Sequence, residues 1–173
     1  MIAVRSLTAD EWERFRTVRL YALLTEKDVF RRRYADEEQL DPETWRRTIG
    51  GPDHQVFGLF DGDRLIGITG VFRWQEDPSG KSAVLAMSYI VPWYRRRGFS
   101  RLLYEARLRW IETQSSFERI VVSHRAGNEA SRRANQAQGF VLTGEREVTW
   151  PDGSRGRELL YEKRLPRRDP GVT

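Results

Sequence analysis

Hydrophobic positions along this chain switch repeatedly between a period of two and a period near 3.6. Ile2-Ala3-Val4-Arg5-Ser6-Leu7 alternates like a short strand. Thr8-Ala9-Asp10-Glu11 then supplies a cap-like residue and early acids, and Trp12, Phe15, Val18, Leu20, Ala22 and Leu23 form a broad helical face. Asp41-Pro42-Glu43 predicts a second helix start, with proline in the first turn. Two apolar runs, 55–60 and 65–72, flank Asp61-Gly62-Asp63 and predict a hairpin. After a loop at Asp77-Pro78-Ser79-Gly80 come a strand over 83–91 and a helix from 100 to about 113. Phe99, Leu102, Leu103, Ala106 and Trp110 of that helix recur at helical spacing and face the sheet. The last third predicts a strand over 120–123, a helix over 128–138, a strand from Phe140, a loop at 150–154 and a final strand over 158–163.

One junction stands out. Ile90-Val91-Pro92-Trp93-Tyr94-Arg95-Arg96-Arg97-Gly98-Phe99-Ser100-Arg101 carries an apolar strand end through a basic turn directly into an amphipathic helix. The first amides of a helix lack intrahelical partners, and the helix dipole adds partial positive charge at the same end. Gly98 tolerates positive φ and lets a ligand approach the backbone, and the arginines add bidentate phosphate donors. The order predicts a phosphate site. Neither G-x-x-x-x-G-K-[ST] nor G-x-G-x-x-G is present, so the turn is not a Walker loop or a dinucleotide fingerprint.

Arg95-x-x-Gly98-x-Ser100 resembles the acetyl-CoA pyrophosphate loop of the GCN5-related N-acetyltransferases (the GNAT superfamily), Q/R-x-x-G-x-G/A, with serine at its last position. Downstream, Asn128-Glu129-Ala130-Ser131 through Asn135 to Gly139-Phe140 resembles the N-x-x-A-x-x-x-Y-x-x-x-G-F segment of the same family. Asn128 fits a helix cap and Gly139 a left-handed helix stop. The resemblance covers essentially the whole chain. It implies an α/β (α+β) fold: a mixed, mostly antiparallel central sheet of six to seven strands, flanked by about four helices, with a splayed central strand pair. One domain over 1–166 and a flexible tail over 167–173 are expected.

The implied cofactor is acetyl-CoA, held by Ile90, Val91, Arg95, Arg96, Arg97, Gly98, Phe99, Ser100, Arg101, Asn128 and Ser131. The resemblance also implies that a main-chain N–H near Ile90 faces the developing oxyanion and that the backbone of Ile90 and Val91 pairs with the pantetheine amides. Where relatives often carry a tyrosine general acid, this chain has Asn135, an amide that cannot deliver a proton and is expected to position the cofactor arm. Tyr89, on the cleft strand, is the substitute acid candidate. His124 suits a general base because it titrates near neutral pH; Glu37 and Glu38 are further candidates, each also readable as a solvated helix charge. The segment Arg19-Leu20-Tyr21-Ala22-Leu23, with Val29-Phe30 and Trp45, resembles the acceptor-side opening of small-molecule amine acetyltransferases.

Composition narrows the partners. A 39% hydrophobic and 32% charged chain of 173 residues suits one globular domain. The absence of cysteine excludes disulfides, thiol nucleophiles and thiolate metal sites, and His54 and His124 lack ligand-spaced partners, so no metal is expected. The net charge of +5 comes mainly from arginine clusters, two of which fall in the cofactor motifs. With acids interspersed and no nucleic-acid motif, nucleic acid is not an expected partner. No apolar run spans a membrane, and the first residues are too sparsely apolar for a signal peptide, so a cytoplasmic location is expected. A homodimer is left open. Three activities follow: N-acetyl transfer from acetyl-CoA to a small primary amine, the same transfer to a protein or peptide amine, and non-catalytic acetyl-CoA binding by a regulator.

Overall fold

A computed structural model describes residues 1–167. The elements follow the predicted order: β1 (Ile2–Ser6), α1 (Trp12–Thr25), α2 (Tyr34–Glu37), α3 (Pro42–Ile49), β2 (Gly50–Gly51), β3 (His54–Asp61), β4 (Arg64–Arg73), β5 (Ser82–Ile90), α4 (Phe99–Glu112), β6 (Arg119–Arg125), α5 (Glu129–Ala137), β7 (Val141–Thr149) and β8 (Arg155–Arg164). Hydrophobic periodicity missed only α2 and β2, which are too short to show a period. The tail expected over 167–173 lies outside the described residues except for Arg167.

Local chemistry places the boundaries. Thr8 N–H donates to Glu11 Oε2 at 3.0 Å, joining β1 to a single 3₁₀ turn that runs into α1. The Asp41 carboxylate accepts from Thr44 N–H at 2.7 Å and caps α3, with Pro42 in its first turn. Asp61 pairs with Arg64 across a two-residue turn in which Gly62 has φ 57°.

The sheet runs β1-β3-β4-β5-β6-β8-β7, with β2 paired to β3. All these neighbours are antiparallel except β5 and β6, which run parallel. That parallel pair holds only at Ser82–Arg119, Ala83–Ile120 and Val84–Val121. Beyond it β5 stays with β4 while β6 stays with β8 as far as Arg125, and the two strands part. A bulge in β5 accompanies the opening. Gly70 pairs with Ala86 and Ile68 with Tyr89, so Met87 and Ser88 oppose Thr69 alone. Met87 takes φ 62°, and the Thr69 and Ser88 hydroxyls share a hydrogen bond of 2.7 Å. An extra residue bends and twists the strand that carries it, so the bulge turns β5 away from β6.

Side-chain alternation divides the core into two layers. On the front, α1 and α3 pack Phe15, Leu20, Ala22, Trp45 and Ile49 against Val56, Ile68 and Tyr89. On the back, α4 and the residue before β7 place Leu103, Tyr104, Ile111 and Phe140 against Leu59, Ile66, Leu85, Ile120 and Tyr161. The opening between β5 and β6 joins the two layers.

Candidate active site

A cleft of about 610 Å³ runs from the N-terminus of α4 through this opening to the end of α1. Its back wall begins at the basic turn. Residues 92–94 form a 3₁₀ turn, Arg96 takes φ 60°, and Gly98 takes φ 78° immediately before α4. A Cβ at Gly98 would meet nothing within 4 Å, so glycine serves the left-handed backbone here and not packing space. The first turn of α4 carries no acid, and Gly98, Phe99 and Ser100 line the cleft. The turn therefore presents helix-start amides with no acid in the first helical turn to repel an anion.

The arginines divide. Arg95 folds inward, its Nε donating to the Ile90 carbonyl at 2.7 Å and its guanidinium pairing with Glu26 and lying over the Tyr89 ring. Arg96 lines the mouth. Arg97 instead donates to the Trp93 carbonyl at 3.1 Å and packs over Tyr94, and Arg101 pairs with Glu105 one helical turn on, at 3.6 Å. Neither side chain lines the cleft, because each is held by a neighbour on its own segment.

α5 forms the second wall. Asn128 Oδ1 accepts from Ser131 N–H at 3.1 Å, the cap expected of it, and both residues line the cleft with Ala130 and Ala134. Gly139, at φ 81°, ends the segment, and Phe140 is buried beside Tyr104. Just past the end of β5, Val91 N–H donates to the Ile66 carbonyl at 2.9 Å, so this amide is committed to β4. Strand alternation turns the amide of Ile90 the other way, toward the open edge. Of the two residues expected to offer free backbone groups, Ile90 turns its N–H to the open edge while its carbonyl is taken by Arg95 Nε, and Val91 N–H is committed to β4.

The profile of the acetyltransferase (GNAT) family matches residues 8–140. The chain belongs to that family. Comparison with curated proteins finds no match. Among solved structures, a GNAT-family acetyltransferase from Streptococcus pneumoniae aligns with TM-score 0.81 at 18% identity, over 95% of this chain and 100% of that one. A putative acetyltransferase from Acinetobacter baylyi aligns with TM-score 0.79 at 18% identity, over 98% and 97%. A putative acetyltransferase from Salmonella typhimurium, described with its cofactor acetyl-CoA, aligns with TM-score 0.77 at 15% identity, over 100% and 99%.

Within this GNAT framework the expected catalytic side chains do not converge. Tyr89 faces the front of the cleft, 3% exposed, with its ring edge-on to Tyr21 and its hydroxyl buried with no hydrogen-bond partner among the described residues. Burial raises its pKa, so it is a proton-holding hydroxyl throughout the neutral range. His124 is not in the cleft. Its Nδ1 lies 2.8 Å from the Arg125 carbonyl, which only an N–H can satisfy, and Nε2 lies 3.1 Å from the Tyr161 hydroxyl. Both ring nitrogens are occupied and the ring stacks on Tyr161, so the base expected at His124 is a core histidine.

Glu37 is not a solvated charge. It holds Arg19 in a two-point ion pair of 2.8 and 2.9 Å inside the front layer. Glu38, half-buried at the end of α2, is likewise absent from the cleft lining. Asn135 sits behind the wall and not in it: 1% exposed, its Oδ1 accepts from the Tyr104 hydroxyl while its Nδ2 has no partner among the described residues. In place of these groups the cleft presents Glu26 and Asp28 at its front lip, and Tyr104 and Arg107 from α4 at its back. Arg107 was readable in principle. It continues the Phe99, Leu103 row at four-residue spacing, which puts a cation on a face otherwise apolar. Among the described residues no group of His, Asp or Glu is arranged to hold a metal.

Proposed function

We propose that this acetyltransferase moves the acetyl group of acetyl-CoA directly to a primary amine on a small, cationic molecule. The observation that carries this reading is the continuity of one cleft from an anion-binding helix start, past the open edge of β5, to an acidic front lip. The helix-start amides at Phe99 and Ser100, with Arg96 at the mouth, suit the cofactor's phosphates. The unpaired edge of β5 beyond Val84 suits an extended arm carrying amides, which it would bond as an added strand. The Salmonella protein, described with acetyl-CoA, shares the whole fold and supports the same choice.

When bound, the cofactor supplies a thioester carbon open to attack. The chain's own residues then have separate tasks. Ile90 N–H, on the open edge, donates to the carbonyl oxygen as negative charge builds there; such a preorganised donor contributes about 2.7–4 kcal/mol. Glu26 and Asp28 attract a cationic acceptor to the front. The Tyr89 hydroxyl, lacking a partner of its own, bonds the incoming amine or the carbonyl and holds it in line. The amine attacks in its neutral form, and its proton leaves to water through the front mouth, since among the described residues the only carboxylates lining the cleft are Glu26 and Asp28 at its lip.

A thiol-release assay with acetyl-CoA over a panel of amines tests this reading. Di- and polyamines should outpace neutral monoamines, and the preference should fade in Glu26→Gln/Asp28→Asn. Preference for peptide amino termini would redirect the assignment to a protein acceptor. Tight CoA binding without transfer to any amine would make the protein a regulator.

A further inference from the structure

Two arginines are almost wholly buried, Arg19 at 2% and Arg107 at 1% exposure. Arg19 has the two-point pairing with Glu37 described above. Arg107 has no equivalent: its Nε donates to the Leu103 carbonyl at 3.2 Å, and its guanidinium carbon lies 4.6 Å from the centre of the Tyr104 ring. Among the described residues no carboxylate pairs with it. Burial lowers its pKa to about 10, which leaves it protonated at neutral pH. A buried cation without a counter-ion is expensive.

The position of Arg107 narrows what it serves. It lines the same cleft, on the face of α4 that begins at the phosphate turn with Phe99 and continues through Leu103. At 1.5 Å per residue, nine residues from Gly98 place it roughly 13 Å down the helix, well beyond the phosphate site and toward the inner end of the opening. Tyr104, stacked beneath it, is anchored to Asn135 on α5 and lends no negative charge, since burial raises its pKa.

We propose that Arg107 stabilises the departing CoA thiolate, so that transfer proceeds without a tyrosine acid on α5. This inference rests on the acetyl-transfer reading. As the amine nitrogen bonds to the acetyl carbon, the C–S bond breaks and its electron pair stays on sulfur; the nitrogen's extra proton goes to water. The negative charge that appears on sulfur is the counter-ion that Arg107 lacks in the resting protein. Tyr104 and Asn135 are positioning residues, fixing the guanidinium through the ring on which it lies.

Arg107→Met and Arg107→Lys test this through readouts that a packing role would move differently. Arg107→Met should melt at a higher temperature than the wild type when unliganded, because an unpaired buried charge is gone. Its kcat should fall on the order of 10²-fold, with the acetyl-CoA KM nearly unchanged, since the interaction forms only in the transition state. Arg107→Lys, which keeps the charge, should recover part of the loss. Independently of turnover, wild-type protein near the free thiol's pKa of about 8.5 should bind CoA more tightly than desulfo-CoA, and Arg107→Met should erase that difference. A lower melting temperature with kcat and KM impaired together would make Arg107 a packing residue, and equal affinities for CoA and desulfo-CoA in the wild type would overturn the inference even if transfer is confirmed. If the wild type binds no CoA at all, the functional reading itself fails and the inference with it.

Discussion

The back and the front of the cleft are built by different means. The back is made of backbone: a left-handed glycine, the free amides of a helix start and the unpaired edge of a bulged strand. Few side chains are needed at the phosphate end, and those present there have ordinary secondary-structure roles, as when Asn128 caps α5; Arg107, farther down α4, is the exception. The front is made of side chains whose settings depend on distant partners. Glu37 is neutralised by Arg19 from eighteen positions away, and Glu26 at the lip is tied to Arg95 from the opposite wall. A backbone site is specified by short contiguous sequence and tolerates exchange of its side chains, whereas a side-chain site is specified by tertiary pairing.

That contrast can be broken at its strongest point first. Glu37→Gln should destabilise the fold by roughly 3–5 kcal/mol, because it leaves the Arg19 guanidinium buried and unpaired. Denaturant unfolding measures this directly, and the kcat of the protein that remains folded should be close to normal. Normal stability with lost turnover would return Glu37 to its expected role as a base.

Next in size is Gly98→Asp, which adds a negative charge where the phosphates are expected. Like charges in contact cost several kcal/mol, so CoA affinity should fall at least 10²-fold by calorimetry. Nothing stands within 4 Å of the new Cβ, and aspartate is among the residues that tolerate φ near 78°, so the fold should survive. Gly98→Asn, with the same shape and no charge, should lose far less. Equal losses in both variants would mean that the glycine matters for conformation alone.

The smallest effect is expected at Asn128→Ala. Loss of an N-cap costs about 1 kcal/mol of stability, and the acetyl-CoA KM should barely change, because the Asn128 Oδ1 is already committed to Ser131 N–H. A large rise in KM without loss of stability would show that the side chain reaches the cofactor.

The sequence was legible where structure is local. Gly98 and Gly139 both take the left-handed conformation that their positions in the two motifs required, and Asn128 and Asp41 both cap the helices they precede. The succession of strands and helices along the chain followed from periodicity, while the bulge at Met87 did not, because an extra residue in one strand shows only against its partner. The placement of His124 in the cleft failed for a related reason. Whether His124 faces a cleft or stacks on Tyr161 depends on β8, thirty-seven residues later, and nothing near His124 in the chain records it. Asn135 shows both sides: its register on α5 was legible, but the Tyr104 hydroxyl that draws it behind the wall comes from another helix.

Hydrogen exchange with and without acetyl-CoA tests the cleft assignment most directly, because it reads the backbone groups that the back wall is said to use. Protection on cofactor addition should concentrate at Ile90 on the open edge and at the start of α4 from Phe99, while Val91 N–H, already bonded to the Ile66 carbonyl, should change little. Unchanged exchange at Ile90 and Phe99, or protection confined to the smaller hollow bounded by Asp28, Arg125 and Gly127, would contradict it.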